Sequence, residues 1–497
     1  MKYTYTKGEY VDKLETLKTV FGYNSFRPGQ EEIIDAIMDP SVNGVLAVLP
    51  TGAGKSILFQ IPALMSKNMT IVISPLISLM KDQVDELKSK GVSAEFYNSS
   101  LEEDNKKDII EKLRNKAIKI LYVAPERFED SSFMEILKDN KVSIFAVDES
   151  HMISLVGFQF RPSYRKIRKA IFELKPGQVV GLTATATKKV QEDICNQLGA
   201  PRAKKFINGF YRPDLKIDVV KCFSNRFDRL IDDVLCYHED GIKTGIIFVG
   251  KRKDAETIMK TLKETHEINA MFYHAGMKDE DRTKTQDAWI KNGGIIVSTC
   301  AFSLGINKQD VRFILHAYLP SSIEEYYQQI GRASRDGLGA DCRIFTNLLE
   351  DTRFLNWMID ASYPKPEVVE AFWRYVNEEG KRNKGAIMQT QEEMADNAGI
   401  NPLFVGGCVN ILKKNALMQT IGKGAYQVNY FDNYREAPLD LEALKALRKS
   451  QQEKMLEITG FVEDTKTCRM VKILDYFDEN GAEPCGKCDV CNKKGKK

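Results

Sequence analysis

Little in this chain is in excess. Lys and Arg total 72 against 69 Asp and Glu, a net charge of +3 over 497 residues. That excludes a global basic field, so any nucleic-acid surface has to be a local patch, and charge alone names no partner. The opening MKYTYTKGEYVDKLETL holds no apolar core of signal-peptide length, and no later run approaches a membrane span. The expectation is a soluble protein with no membrane partner that stays where it is made, in cytoplasm or nucleoid, or in the nucleus of a eukaryote. Low-complexity tracts and fixed-period repeats are absent. Cysteine is present without a disulfide pattern: Cys195, Cys222, Cys236, Cys300, Cys342 and Cys408 are scattered, whereas four more gather near the end. A reducing compartment with one metal cluster fits that better than a stapled secreted fold. The length allows about three or four domains.

What is there begins with Leu49-Pro50-Thr51-Gly52-Ala53-Gly54-Lys55-Ser56, set between the apolar run Gly44 to Leu49 and a helix-like segment from Ser56 to Met65. A buried strand feeding a glycine turn and a helix N-terminus makes a phosphate cradle, because backbone N–H groups converge there on an anion that the helix dipole favours. In that reading Thr51, Gly52, Ala53 and Gly54 form the loop, Lys55 reaches the β- and γ-phosphates of ATP, and Ser56 holds Mg²⁺. The usual pattern has glycine or alanine where Leu49 stands, so a plain glycine turn competes for the loop taken alone.

Met69 to Ser74, Ile118 to Ala124, Ser143 to Asp148 and Val179 to Thr183 read as further strands alternating with helices, the α/β pattern of a parallel sheet with ligands at the carboxyl ends of its strands. Asp148 and Glu149 directly follow one of them. Two acids there are costly to desolvate unless a cation answers them. Beside a phosphate loop, Asp148 positions Mg²⁺ and Glu149 orients or deprotonates an attacking water. Upstream, Tyr23, Arg27 and Gln30 can stack on a base and bond its edge, or their loop can simply bury Phe21 and Phe26.

From Ile207 the alternation restarts, with Thr244 to Val249, Ala270 to Tyr273, Gly294 to Ser298 and Arg312 to His316 as strands of a second sheet. In the run Tyr326 to Gly337, Arg332 and Arg335 share one face if the segment is helical, with Gln328 a turn back. Arginine suits charge that develops on a γ-phosphate. Residues 390 to 431 have a winged-helix outline: helix Gln391 to Asn397, a turn at Ala398 to Pro402, a helix to about Lys414, then strands Leu417 to Ile421 and Ala425 to Phe431 about Gly422-Lys423-Gly424. Such a module either binds duplex DNA or packs within the molecule. Finally, Cys468, Cys485, Cys488 and Cys491 have the spacing of a tetrahedral structural Zn²⁺ site, with an Fe–S cluster as competitor.

In order and spacing, LPTGAGKS, SPLISLMKDQV (Ser74 to Val84), DESH (Asp148 to His151) and LTATAT (Leu182 to Thr187) resemble the first lobe of a superfamily 2 helicase. FGYNSFRPGQEEII and SPLISLMKDQV are similar to the RecQ family of DNA helicases, as are TCRMVKILDYFDE and PCGKCDVC of its zinc-binding subdomain. The resemblance implies an α/β fold of two tandem RecA-like lobes of the P-loop NTPase type, 1–206 and 207–350, a winged-helix-like module at 351–436 and a zinc-binding subdomain at 437–497. It makes Tyr23, Arg27 and Gln30 an adenine-recognition motif and Lys55, Asp148, Glu149, Gln328, Arg332 and Arg335 the catalytic set. DNA contacts are implied at Ser74, at the second-lobe runs IIFVGKR (Ile246 to Arg252) and FYHAGM (Phe272 to Met277), and at the hairpin tip Lys423, a candidate wedge. The implied activity is 3′ to 5′ unwinding driven by Mg-ATP hydrolysis, in repair, recombination and fork processing. A monomer is expected, acting on single-stranded and tailed or forked duplex DNA, with single-stranded-DNA-binding or repair proteins as candidate partners.

Two departures qualify the resemblance. The family's aromatic-rich loop, I-S-x-W-G-H-D-F-R-P, couples DNA contact to hydrolysis; here Val156 stands for its tryptophan, and Phe158 and Gln159 for its histidine and aspartate. Phe158, Phe160 and Arg161 remain as a base-stacking surface, and weakened DNA stimulation is expected. The winged-helix-like region precedes the zinc block, the reverse of longer members, and no helicase-and-RNase-D C-terminal domain is expected. Competing readings are a DNA-binding or annealing scaffold with a switch-like ATPase, and an RNA-directed DExH helicase.

Overall fold

The structure, a computed structural model, describes residues 12–75, 77–98, 101–154, 164–207, 209–302, 308–422 and 424–494. Strands β1 (Val45–Val48), β2 (Met69–Ile73), β3 (Ala94–Tyr97), β4 (Ile120–Val123), β5 (Val142–Val147), β6 (Gln178–Thr183) and β7 (Lys204–Ile207) make one sheet in the order β3-β4-β2-β5-β6-β1-β7. Every pairing in it is parallel. A second all-parallel sheet has the order β10-β11-β9-β12-β13-β8, from β8 (Leu215–Lys221), β9 (Gly245–Phe248), β10 (Ala270–Tyr273), β11 (Ile295–Ser298), β12 (Phe313–His316) and β13 (Ala340–Thr346).

The central strands VLAV, MTIVI and ILYV are buried on both faces, as parallel strands flanked by helices must be. Their apolar runs make them readable from sequence. The strands not expected from sequence carry ions instead: β3 contains Glu95, paired with Lys88 at 2.7 Å and Lys112 at 2.8 Å, and the edge strand β7 is KKFI. β8 alternates buried and half-buried positions, and β13 carries Arg343, answered by Asp233 at 2.6 Å and Asp341 at 3.1 Å.

Helices Leu348–Ser362 and Pro366–Arg382 lead to a three-stranded antiparallel sheet, order β14-β16-β15, of β14 (Ala386–Met388), β15 (Met418–Gly422) and β16 (Ala425–Val428). It closes over helices Gln391–Ala398 and Pro402–Lys414, the first opened by a Thr390/Glu393 capping box and the second by Asn401 with Pro402 behind it. This is the winged-helix outline, with β14 as an additional strand. Helix Leu441–Glu463 then runs to the cysteine module of helices Arg469–Tyr476 and Asp489–Lys494, which pack on β8. No helix among the described residues is long and apolar enough to cross a membrane.

Candidate functional site

The glycine loop lies where the strand-to-helix reading puts it, at the end of β1 and the start of helix Lys55–Met65. Gly52 and Gly54 have φ of +87° and +78°, which L side chains rarely adopt. A Cβ on Gly54 would sit 2.7 Å from Gln30 Nε2 and would have to displace the amide that braces the loop. Leu49 needs no such freedom. It extends the pairing of β1, its N–H bonding Thr183 O at 3.0 Å, and its side chain is buried. Lys55 Nζ donates to Leu49 O at 3.3 Å; burial pulls its pKa down against the pull of Glu149 and Asp148.

Arg27 and Gln30 brace this loop. Arg27 donates to Gly52 O, and Gln30 Nε2 to Ala53 O at 2.9 Å and Gly54 O at 3.3 Å. Tyr23 is 55% exposed, free to stack. Ser56 Oγ accepts from Gln83 Nε2 at 2.8 Å, while Tyr122 donates to Gln83 Oε1 at 2.7 Å and Gln60 Nε2 to the Tyr122 hydroxyl at 3.2 Å. This relay, buried at Gln60 and Tyr122 and half-buried at Gln83 and Ser56, was not singled out from sequence. Gln83 lies within SPLISLMKDQV, but Gln60 and Tyr122 carry no sequence signal. Ser74 follows β2 with its hydroxyl buried.

Asp148 follows β5, and Glu149 adopts a left-handed φ of 47°, a backbone strain of the sort kept at functional sites. His151 Nδ1 lies 3.3 Å from Glu149 Oε2 and 2.9 Å from Thr183 Oγ1. Burial opposes ionisation of Glu149, yet the His151 contact, Lys55 and Arg332 hold its pKa low. Burial and the Glu149 charge push Asp148 the other way, upward.

Gln328 lies on helix Ile323–Ile330, but that helix ends at Gly331, so Arg332 and Arg335 sit in the following turn and not on a shared helical face. Gly331 packs against the first sheet's loop: a Cβ there would stand 3.1 Å from Thr51 Oγ1. Likewise a Cβ on Gly52 would stand 3.5 Å from Arg335 Cγ. The two sheets are thus closed on each other at the cleft. Arg332 is 4% exposed, with Nε and Nη1 lacking hydrogen-bond partners, and Gln328 Oε1 lacks one also. Burial and nearby Arg335 bring Arg332 down to about 9; burial and nearby Arg212 bring Arg335 to about 10. Arg212, also unforeseen, fixes the turn by donating to Ala333 O at 2.8 Å. A glycine cradle, a lysine, two acids and unsatisfied buried guanidinium donors fit a nucleoside triphosphate with a divalent cation.

At the other end, the four cysteine sulfurs lie within 4.8 Å of one another. Cys485 N–H donates to Cys468 Sγ at 3.2 Å and Cys491 N–H to Cys488 Sγ at 3.5 Å, bonds that stabilise thiolates. Arg469 grips Asp489 with two bonds of 2.8 and 2.9 Å, tying the two cysteine-bearing segments together. All ten cysteines are free of disulfides. Val156, Phe158, Gln159, Phe160, Arg161 and Lys423 lie outside the described residues.

Three family descriptions match: DEAD/DEAH box helicase over residues 27–194, helicase conserved C-terminal domain over 225–337, and RecQ zinc-binding over 425–492. The last decides between zinc and an Fe–S cluster in favour of a zinc-binding module. The ATP-dependent DNA helicase RecQ of Bacillus subtilis is 42% identical over 65% of this chain and 54% of its own length. RecQ of Haemophilus influenzae is 34% identical over 97% of this chain and 64% of its own. A protein of Acanthamoeba polyphaga mimivirus, provisionally named an ATP-dependent RNA helicase, is 34% identical over 88% of this chain and 82% of its own length. The chain therefore spans 54% and 64% of the two bacterial relatives. With both helicase domains, the zinc-binding module and these relatives, the chain belongs to the RecQ family of helicases.

Proposed function

We propose that this chain is an ATP-dependent DNA helicase of RecQ type that moves 3′ to 5′. The observation that carries the reading is the meeting, at one closed cleft, of Lys55, Asp148 and Glu149 from the first sheet with Gln328, Arg332 and Arg335 from the second. Thr51, Gly52, Ala53, Gly54 and Lys55 hold the phosphates, with Tyr23 against the adenine and Arg27 and Gln30 at its edge. Glu149, held ionised by His151, Lys55 and Arg332, orients the attacking water and takes its proton. Arg332 and Arg335 meet the charge that develops on the γ-phosphoryl group. Ser56 and Asp148 would hold Mg²⁺, which supplies charge neutralisation on the phosphates. The four cysteines hold Zn²⁺ as a scaffold.

Because donors from both sheets grip one triphosphate, its hydrolysis removes what joins them, and closing and opening become steps along a strand. The domains are assigned as 1–206 and 207–350 for the lobes, 351–436 for the winged-helix-like module and 437–497 for the zinc-binding one. DNA runs past Phe158, Phe160 and Arg161, with Lys423 at the wing tip as wedge; the expected contact at Ser74 does not fit its buried hydroxyl. The working form is a monomer in a reducing compartment, acting on tailed or forked duplexes in repair and recombination.

Strand displacement on a 3′-tailed duplex tests this, comparing the chain with Lys55→Ala. ATP-dependent unwinding that the substitution abolishes is expected; unwinding that survives it would exclude an ATP-driven motor, and its absence from the unaltered chain would favour a scaffold. The name of the viral relative favours an RNA-directed second reading. ATPase measured with single-stranded DNA and RNA of equal length separates the two, greater stimulation by DNA being expected.

A further inference from the structure

The turn Phe477-Asp478-Glu479 leaves helix Arg469–Tyr476 of the zinc-binding module and touches three other parts of the molecule. Phe477, 2% exposed, stacks on Phe210 with ring centroids 4.1 Å apart and 11° between planes, and meets Tyr327 edge-on at 5.3 Å. Phe210 lies in the segment joining β7 to β8. Tyr327 lies beside Gln328 on the helix that ends at the arginine turn, and its hydroxyl donates to Phe210 O at 2.9 Å. Glu479 accepts the Phe210 N–H on both carboxylate oxygens, each at 3.0 Å.

Asp478 reaches in the other direction. Its backbone takes a φ of 66°, and its Oδ2 accepts from Lys188 N–H at 3.1 Å. Lys188 opens helix Lys188–Gln197 beside the first sheet, whose own N-cap residue, Thr187, makes no side-chain capping bond. That helix is therefore capped by a carboxylate 290 residues away in sequence, a charge-assisted bond at the positive end of a helix. The capped helix is continuous with the catalytic segment. Gln191 Nε2 donates to Ala186 O at 2.9 Å, and Thr183 Oγ1 stands 2.9 Å from the His151 ring that contacts Glu149.

The rest of the zinc-binding module belongs with the second sheet. Its helices pack on β8, the preceding long helix sets Lys454 3.3 Å from Glu324 at the start of helix Ile323–Ile330, and Phe461 lies 5.7 Å from Tyr326. Asp478 thus carries a bond from an element fixed to the second sheet across to the first.

We propose that this turn is a clasp that holds the two sheets closed over the nucleotide, with Asp478 and Phe477 as positioning residues for the Glu149 and Arg332 sides of the site. The inference rests on the reading of the cleft as an ATP site. When the first sheet swings away, Lys188 N–H loses this carboxylate acceptor to water, so the cap is gained on closing. A cap of this strength biases closing about fivefold. Linkage makes the effect mutual: a ligand that closes the sheets tightens the clasp, and the clasp raises affinity for that ligand in the closed form.

The test uses the full chain with an azide-bearing amino acid in place of Lys107 and another in place of Lys263, both exposed, each coupled to a fluorophore so that energy transfer reads the distance between the sheets. A non-hydrolysable ATP analogue is titrated in. Asp478→Ala is expected to lower the closing constant about fivefold and to lower kcat in parallel, with one equivalent of zinc retained; Asp478→Asn, which keeps an acceptor oxygen, is expected to restore both. Closing by Asp478→Ala equal to that of the unaltered chain overturns the proposal, as does a loss that Asp478→Asn does not restore. Closing is read without turnover. A chain that closes on the analogue with an intact clasp effect but hydrolyses no ATP would refute the helicase reading and leave the clasp standing.

Discussion

Arg332 keeps buried donors that the groups around it do not satisfy. Its guanidinium is buried with two nitrogens unsatisfied, and an unsatisfied buried group costs about 1–3 kcal/mol. Burial already lowers its pKa to about 9. The arrangement makes sense if the missing partner is a phosphoryl group. Arg332→Met keeps the length and removes the orphaned donors, so kcat is expected to fall by about a thousandfold or more while Tm without nucleotide does not fall; a melt and a steady-state ATPase assay on the same preparation check both. Gln83 acts at one remove. Its bond orients Ser56 Oγ, and loss of such supporting bonds typically costs about 10–100-fold in metal affinity or activity. Gln83→Leu is expected to raise the Mg²⁺ concentration needed for half-maximal ATPase about tenfold and to lower the melting temperature as well, because it takes the acceptor from the buried Tyr122 hydroxyl.

At the scale of elements, neighbouring glycines on helix Pro402–Lys414 give opposite expectations. A Cβ on Gly406 meets nothing within 4 Å, whereas one on Gly407 would lie 2.2 Å from Ala361 O, where helix Leu348–Ser362 crosses. Gly406→Ala should stabilise by about 0.5–1 kcal/mol through helix propensity, and Gly407→Ala should destabilise by roughly 1–3 kcal/mol through overpacking; urea melts read both. Elements were legible where local pattern and tertiary role agree. β1, β2 and β4 are apolar runs because both their faces are buried, and the wing reads from its Gly-flanked hairpin. β3 and β13 were not legible, since Glu95 and Arg343 become tolerable in a strand only through partners elsewhere in the chain. Around the candidate site, the positions of Lys55, Asp148 and Glu149 were legible because each follows closely on the end of an apolar strand. The bond from Gln83 across 27 residues and the Asp478 cap across 290 are long-range facts that no local pattern encodes, whereas the helix stop at Gly331 carries a local signal, the glycine itself.

For the whole molecule, the question is how nucleotide chemistry senses a bound strand. The candidate catalytic groups meet across the cleft: Gly331 against Thr51, Arg335 against Gly52, and Glu149 in electrostatic reach of Arg332. The loop that would report DNA, Ile153 to Pro162, carries Val156, Phe158 and Gln159 in place of the tryptophan, histidine and aspartate of the family pattern. A valine has no ring with which to stack on a base, a contact worth about 1–3 kcal/mol per base, and neither phenylalanine nor glutamine can pass a charge change toward Glu149. DNA stimulation of the ATPase is therefore expected to be weaker than in family members with the full pattern. Replacing all three, Val156→Trp with Phe158→His and Gln159→Asp, should raise the ratio of kcat with single-stranded DNA to kcat without it by about tenfold or more, a range set by that stacking energy. A ratio in the unaltered chain as high as in those members, or one that the triple replacement leaves unmoved, would mean that the DNA signal reaches Glu149 by another route.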